Sequence, residues 1–283
     1  LLDKDSRHLD DCSESWEIVD LDDHQSTVDS GPFCNWTLRR LVEEHPADLL
    51  GHHSPLDAFP LLLKFLDATD RLSLQVHPDD LVAARHHPGL RGKTEAWVVL
   101  AAEPASRLWV GLKPGTTAEQ LTAALDSGDI DSCVASFSAQ SGQCVIVPAG
   151  TVHAIGEGIV LAEIQQASDL TYRLYDWGRL DPNGTPRTID LQRGLEAVDF
   201  DAGPIAPSSP PAANSTHQVT RVERPEFRVV QHQVHGHHEL VNDNRCRILT
   251  TIAGNGSLEA AGSRHTLAPG RTVLLPASVA SAQ

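Results

Sequence analysis

Short apolar segments punctuated by glycine and proline run through most of this 283-residue chain. Each is roughly five to eight residues long, the usual length of a β-strand and shorter than most helices. The candidate strands are Pro60–Leu66, Leu72–His77, Ala96–Ala101, Arg107–Gly111, Gln143–Val147, Ile159–Gln166, Thr171–Tyr175, Phe227–Val234, Arg247–Ala253 and Arg271–Leu275. Many short strands of this kind favour a mainly β fold, either a sandwich or a barrel.

A few helices interrupt this pattern. Thr37 precedes the leucine-containing run 38–44, and a second helix is predicted to begin near Asp79. The clearest helix begins at Thr117, because Gln120 completes a capping box with it and Gly128 provides the stop. We therefore expect helices inserted in or beside the first group of strands.

Charge and cysteine content limit the possible partners. The chain carries 22 Lys and Arg against 38 Asp and Glu, for a formal net charge of −16, which argues against nucleic-acid binding. No apolar run is long enough to cross a membrane. The five cysteines are odd in number and scattered, which fits a reduced, cytoplasmic protein.

A composition change suggests two domains. Residues 201–218 contain four prolines and little that could be buried, so we interpret them as a linker. The sequence thus predicts a first domain over 1–200, with the helices inserted in or beside its strands, and a second all-β domain over 219–283.

Several side chains with metal-binding or acid–base chemistry share strand faces. In the alternating segment 72–77, Ser73, Gln75 and His77 point to the side opposite the leucines. Lys93 and Glu95 stand two residues apart at the entrance of the next strand, so they too can point the same way. These two segments could contribute to one site.

The segment from Gly142 to His153 has a more specific pattern: a glycine, five residues, Pro-x-Gly, two residues and a histidine. It resembles the second signature of the cupin barrels. The resemblance implies that the Pro-x-Gly turn joins two barrel strands and that His153 points into the lumen as a metal ligand. The first cupin signature is altered here to Gln75-x-His77, with Glu95 further along.

From about Ser15 to Ile189 the chain resembles the type I mannose-6-phosphate isomerases. The resemblance rests on the combination of four motifs: Gln75-x-His77-Pro, Gly-Lys93-Thr-Glu95, Pro-Ala-Gly-Thr-Val-His153-Ala and the segment 165–173. The resemblance implies two cupin-type, jelly-roll β-barrels and an aldose–ketose isomerase that interconverts mannose 6-phosphate and fructose 6-phosphate through an enediol. It also implies the site: one zinc ion per chain held by Gln75, His77, Glu95 and His153; an active-site arginine, Arg173; Lys93, Glu163 and Asp169 near the substrate; and Ser73 near the phosphate.

The residue chemistry points in the same direction without the resemblance. Two imidazoles, a carboxylate and an amide suit zinc or a similar divalent ion and leave positions open for substrate. Such an ion can polarise a sugar carbonyl without a redox change. Alternation places Glu163 on one strand face with Ile159, Leu161 and Gln165, and Arg173 on another with Thr171 and Tyr175, so both Glu163 and Arg173 could line the site. The residue that moves the proton between C1 and C2 is not settled by the sequence: we favour Glu163 as this base and keep Lys93 as the alternative.

Alternative interpretations exist for individual residues. Arg173 could instead form a salt bridge with Asp169 or Asp176. Glu163 could instead contact one of the metal ligands without touching the substrate. The four histidines 232, 235, 237 and 238 are interpreted as solvated loop residues.

The C-terminal region repeats one motif without its ligand. Gly270 to Ser278 has the spacing of Gly142 to Gly150, but Ser281 occupies the position of His153. We therefore expect a second barrel without a metal.

Two other functions remain open from the residues: a metal-dependent cupin oxygenase, which Gln75 in place of a histidine argues against, and a non-catalytic sugar-binding cupin. The oligomeric state is not predicted.

Overall fold

The computed structural model describes residues 13–181, 183–211 and 218–283. Its strands are β1 Glu14–Ile18, β2 Asp20–Leu21, β3 His24–Gln25, β4 Leu61–Ala68, β5 Leu74–Val76, β6 Glu95–Ala102, β7 Arg107–Leu112, β8 Val134–Ser138, β9 Cys144–Val147, β10 His153–Ile155, β11 Ile159–Gln166, β12 Tyr172–Tyr175, β13 Gln218–Glu223, β14 Arg228–His232, β15 Leu240–Val241, β16 Arg247–Thr250, β17 Gly256–Ala260, β18 Ser263–Leu267, β19 Thr272–Leu275 and β20 Ser281–Ala282. Its helices are α1 Leu38–Glu44, α2 Pro46–Leu50, α3 Asp80–His86, α4 Ala118–Ser127 and α5 Leu191–Ala197. The mainly β prediction is confirmed.

The predicted helix starts are confirmed because each has the side chain that caps it. Thr37 accepts a hydrogen bond from the Arg40 amide, and Asp79 accepts one from the Val82 amide. Thr117 and Gln120 form the capping box, and Gly128 ends α4 in the left-handed conformation. Among the described residues no helix is long and apolar enough to span a membrane.

Contacts divide the chain into two compact units. The first contains the described residues up to Lys64, together with Gln218 and 231–283; the second contains the described residues from Phe65 to 211, together with 219–230. Within the first unit, the buried carboxylate of Asp20 accepts hydrogen bonds from the Arg39 side chain at 2.8 Å and the Phe59 amide at 2.7 Å. The amide of Ala277 donates to the carbonyl of Leu49 at 3.0 Å, which ties the C-terminal segment to α2.

Two sheets build the second unit. One has the order β12-β5-β10-β7-β8, and the other carries β4, β11, β6 and β9 side by side. Neighbouring strands are antiparallel, with His153 opposite Gln75 and Glu95 opposite both Gln165 and Val147. In the described part of the chain the hydrogen bonding defines separate sheets and no closed barrel.

The core of the second unit has two apolar clusters. One draws on both sheets, through residues such as Trp97, Leu161, Val110 and Ile155, and therefore lies between them. The other covers the opposite face of the β5-containing sheet, where α4 and α5 pack through Leu121, Leu125 and Ala197. Burying each face against a separate layer explains why strands on this sheet are apolar on both sides.

The described part of the predicted linker, 201–211, is hydrogen-bonded to the second unit. The Ile205 amide donates to Val110, and Ser208 exchanges backbone hydrogen bonds with Cys144. Ile205 also packs against the apolar cluster between the sheets. Residues 201–211 are therefore packed against the sheets of the second unit. Residues 212–217 of the predicted linker lie outside the described residues.

One predicted strand face is wrong. The alternation in 171–175 predicts that Arg173 and Tyr175 point the same way, but the register of β12 against β5 shifts between these two residues. Arg173 lies opposite Gln75, whereas Tyr175 packs against the outer cluster beside Trp177. A β-bulge adds one residue to one strand only, so it reverses the alternation beyond it.

The repeated C-terminal motif forms a similar strand–turn–strand in the first unit. β19 and β20 flank the Pro276 turn as β9 and β10 flank the Pro148 turn. β20 belongs to a four-stranded sheet of order β15-β20-β17-β18, and β16 pairs with β19. Ser281, at the position that corresponds to His153, is exposed.

Candidate metal centre

Three ligand side chains meet between the two sheets of the second unit. His77 follows β5, Glu95 begins β6 on the other sheet, and His153 begins β10. The Nε2 atom of His77 lies 3.2 Å from Oε2 of Glu95, and Nε2 of His153 lies 3.4 Å from its Oε1. All three side chains are buried, and their ligand atoms lie within 4.8 Å of one another. The Glu95 carboxylate is therefore held between two imidazoles.

Backbone carbonyls fix which nitrogen of each imidazole faces the centre. Nδ1 of His77 lies 3.0 Å from the carbonyl oxygen of Leu170, and Nδ1 of His153 lies 2.8 Å from that of Thr151. Since a carbonyl can only accept, both Nδ1 atoms must carry the proton. The Nε2 lone pairs are consequently directed at the centre, as metal ligation requires.

The protonation states also suit a cation. Burial, together with the nearby Lys93 charge, lowers the pKa of His77 from 6.5 to about 3, even though Glu95 acts in the opposite direction. Burial likewise lowers the pKa of His153. Burial raises the pKa of Glu95, but Lys93 and His77 outweigh it and hold that pKa well below its ordinary value. The centre therefore presents two neutral imidazoles and one carboxylate at neutral pH.

One unpaired atom indicates that this arrangement binds a ligand. Nε2 of His77 is buried without a hydrogen-bond partner among the described residues. Leaving such an atom unpaired costs about 1–3 kcal/mol. A divalent ion satisfies lone pairs of this type, so the residues fit the metal that the sequence predicts.

Gln75 lies beside this group, as predicted. Its amide Nε2 is 3.2 Å from Nε2 of His153, and its backbone pairs with both His153 and Arg173. Ser73 is buried and its hydroxyl donates to Oε1 of Gln75 at 3.4 Å. A half-turn of the Gln75 amide would direct its oxygen at the centre, which is the orientation an amide ligand needs.

The two candidate bases are in contact with each other. Nζ of Lys93 lies 3.0 Å from Oε2 of Glu95 and 3.4 Å from Oε1 of Glu163. All three side chains are at most 4% exposed. The lysine therefore links the cation centre to a second buried carboxylate on the adjacent strand.

Arg173 and Asp169 are not members of the buried His77, Glu95, His153 group. Arg173 is half-buried and donates from Nη1 to the carbonyl of Thr188 at 3.0 Å, while its Nε has no partner among the described residues. Burial and the charges of Arg187 and Arg179 lower the pKa of Arg173. Asp169 is exposed.

The alternative salt bridge of Arg173 with Asp176 does not form. Asp176 is instead paired with Arg179 at 2.6 Å and with Arg187 in a closer contact. Nε of Arg173 is not paired with a neighbouring carboxylate among the described residues.

Sequence reasoning gave no role to Trp97, and it named Gln165 only as part of a motif and of the strand face that carries Glu163. Trp97 is completely buried, and its ring lies edge-on to His153 with 5.5 Å between centroids. Gln165 pairs across the sheet with Glu95 and is also buried. Trp97 follows Glu95 by two residues on β6, and Gln165 lies directly opposite Glu95 on β11. Once β6 and β11 are paired, these positions indicate that both side chains lie near the centre.

The fold and the site together define a mainly β protein of the cupin class, with a buried His, Glu, His group between two sheets that could hold a metal ion. Comparison with known proteins narrows this class. The model of the type I phosphomannose isomerase catalytic domain matches residues 5–93, and that of the mannose-6-phosphate isomerase cupin domain matches residues 217–283.

Full-length relatives agree with these matches. A mannose-6-phosphate isomerase of Streptococcus mutans is 32% identical over 95% of this chain and 84% of its own, and one of Bacillus subtilis is 34% identical over 93% and 83%. The crystal structure of a Bacillus subtilis mannose 6-phosphate isomerase superposes with a TM-score of 0.86 at 31% identity, covering 95% of this chain and 85% of that one. The chain belongs to the mannose-6-phosphate isomerase family.

Proposed function

We propose that this protein interconverts mannose 6-phosphate and fructose 6-phosphate through an enediol intermediate, as a zinc-dependent aldose–ketose isomerase. The observation that carries the proposal is the buried His77, Glu95, His153 group with the Lys93–Glu163 pair beside it. The relatives' names supply the substrate class, a small sugar phosphate. Family membership disfavours the cupin oxygenase and the non-catalytic sugar-binding cupin.

One zinc ion per chain is the proposed cofactor, held by Gln75, His77, Glu95 and His153. Two imidazole nitrogens, one carboxylate and one amide oxygen are ligands that zinc accepts. When bound, the ion polarises the carbonyl of the open-chain sugar and stabilises the negative charge that develops on its oxygen.

Glu163 is the proposed base. Its carboxylate takes the proton from C2 of the aldose, which gives the enediol, and returns it to C1, while the hydroxyl proton moves from O2 to O1; together these transfers produce the ketose. The Lys93 ammonium, 3.4 Å from Glu163, stabilises the ionised carboxylate before it takes up the proton. Lys93 is the alternative base, and the test is whether Glu163 or Lys93 is needed for exchange of the C2 hydrogen.

Arg173, Ser73 and Asp169 are the proposed substrate contacts. The guanidinium of Arg173, on the strand beside Gln75, offers an unpaired Nε to the oxygens of the enediolate. Ser73 is assigned to the phosphate. Asp169, which is exposed, is assigned to the catalytic residues near the substrate.

The proposed domain organisation follows the composition change along the chain and the position of the cupin-domain match. Residues 1–200 form the catalytic cupin domain with its helices, 201–218 connect, and 219–283 form a second cupin barrel without a metal. The match of the cupin-domain model to 217–283 and the replacement of a ligand by Ser281 support this division.

The cytoplasm is the proposed location. Cys34, Cys133, Cys144 and Cys246, the cysteines among the described residues, are all free thiols. Free thiols are typical of a reducing compartment.

A coupled assay of fructose 6-phosphate formation from mannose 6-phosphate, with and without a chelator, tests the proposed function. We expect turnover that the chelator abolishes and that added zinc restores. No turnover by the metal-replete protein would refute the proposed reaction, and turnover unaffected by complete metal removal would refute the metal dependence.

A further inference from the structure

Gln165 is a buried polar side chain next to the metal centre that the proposed mechanism does not use. It stands opposite Glu95 in the pairing of β11 with β6, two residues beyond Glu163 and on the same face of β11. Its side chain is 1% exposed. A polar group at such a position needs a partner, because burying it without one is unfavourable.

The amide of Gln165 is held in one orientation. Its Nε2 donates to the carbonyl oxygens of Ser168, at 2.5 Å, and of Gln166, at 3.2 Å. Both neighbours are acceptors, so only the amino end of the amide can face them. The oxygen, Oε1, is thereby turned away from the backbone, and it has no hydrogen-bond partner among the described residues.

The adjacent Gln166 shows that this open acceptor is not a general property of the strand end. Oε1 of Gln166 accepts a hydrogen bond from the backbone amide of Thr94 at 2.8 Å. That bond ties the end of β11 to the segment that carries Lys93 and Glu95. Gln166 therefore has a structural role, whereas the oxygen of Gln165 is fixed in place with its accepting capacity unused.

We propose that Gln165 is a substrate-binding residue whose Oε1 accepts a hydrogen bond from a hydroxyl of the open-chain sugar phosphate. The inference rests on the proposed isomerase function and extends it to specificity. A sugar hydroxyl is the donor that such an oxygen requires, and a neutral amide recognises it without adding a third negative charge beside Glu95 and Glu163. A site built around a hydroxyl discriminates against analogues that lack it, because its acceptor is then left unpaired.

The test combines variants with substrates that lack one hydroxyl. The substrates are mannose 6-phosphate and its 3-deoxy and 4-deoxy analogues, which keep the reacting C1 and C2 oxygens. For the wild type we expect kcat/KM to fall about 10- to 100-fold with one of the two analogues. Gln165→Met, similar in length but without an acceptor, should show that same loss with mannose 6-phosphate and no further loss with that analogue.

Gln166→Met is the matched control, because it removes a neighbouring glutamine whose oxygen is already engaged. It should lower the melting temperature but leave the ratio of kcat/KM between natural and deoxy substrates as in the wild type. The zinc content of Gln165→Met is measured alongside and should match the wild type, which shows an intact centre. Its melting temperature should fall as in Gln166→Met, because the variant also loses the hydrogen bonds to the carbonyls of Ser168 and Gln166. If Gln165→Met does not fold, Gln165→Asn withdraws the same oxygen and receives the same expectations.

Three results would overturn the inference: wild-type kcat/KM in Gln165→Met, loss of zinc from that variant, or a deoxy penalty that is the same in variant and wild type. A wild type that shows no penalty with either analogue would also overturn it. Failure of the wild type to convert mannose 6-phosphate at all would instead refute the proposed function, so the two failures are distinguishable.

Discussion

Replacing Lys93 by methionine would remove the cation that lies between two buried carboxylates. Its Nζ is 3.0 Å from Glu95 and 3.4 Å from Glu163, and none of the three side chains is more than 4% exposed. Methionine has nearly the same length, so packing changes little while both carboxylates lose their shared partner. Breaking a buried ion pair in this way typically costs about 3–5 kcal/mol, because a charge is left without compensation.

That cost converts into a measurable shift in melting temperature. For a unit of this size, 1 kcal/mol corresponds to roughly 2–4 °C, so we expect metal-free Lys93→Met to melt about 6–20 °C below the metal-free wild type. Zinc should stabilise the variant more than the wild type, since the ion then neutralises Glu95 without an ammonium beside it. Differential scanning calorimetry with and without zinc measures both effects.

Lys64→Met provides the control for losing a lysine as such. Lys64 is also buried, but its partner Glu14, at 3.1 Å, is about one-third exposed, so water can compensate that carboxylate. We expect a smaller loss than in Lys93→Met and no change in the response to zinc. A difference of less than about 2 °C between the melting temperatures of metal-free Lys93→Met and metal-free wild type would be too small for a broken buried ion pair by the same conversion. That result would refute the electrostatic interpretation of this centre.

Three further predictions concern the same site. Arg173→Lys should keep its zinc, measured by elemental analysis, but lose most of its turnover, because an ammonium cannot reproduce the planar contact of a guanidinium; wild-type turnover would make Arg173 merely structural. Glu163→Gln should bind zinc but not exchange the C2 hydrogen with solvent deuterium, and continued exchange would move the base to Lys93. Because the pKa of His77 is lowered to about 3 from 6.5, the unfolded state binds more protons between these values. The free energy of unfolding of the metal-free protein should therefore fall as the pH falls through that window, and fall less in His77→Gln; equal pH dependence in urea titrations would contradict this.

Local sequence patterns predicted the parts of the fold that depend on local interactions. The Thr117–Gln120 capping box requires residues only three apart, and it formed where expected. The Pro-x-Gly turn and the alternation around Gln75 likewise brought His153 and Gln75 to adjacent strands. Metal ligation by these residues stays a prediction, but their juxtaposition is what the motif spacing indicated.

Features that depend on pairing between distant strands were not predictable in the same way. The bulge in β12 that separates Arg173 from Tyr175 is invisible to a two-residue alternation. The contact of His77 with the Leu170 carbonyl joins residues 93 positions apart. The fixed amide of Gln165 depends on the path of the chain at Ser168, so its open acceptor emerges only from the three-dimensional structure.

The metal content of the wild type and of Glu95→Gln tests the account most directly. Glu95 is the carboxylate between His77 and His153, and glutamine keeps its shape while removing the anionic ligand. Elemental analysis after extensive dialysis should find one zinc per wild-type chain and little in the variant. Full zinc content in Glu95→Gln, or wild-type protein that is active without any bound metal, would contradict the central claim.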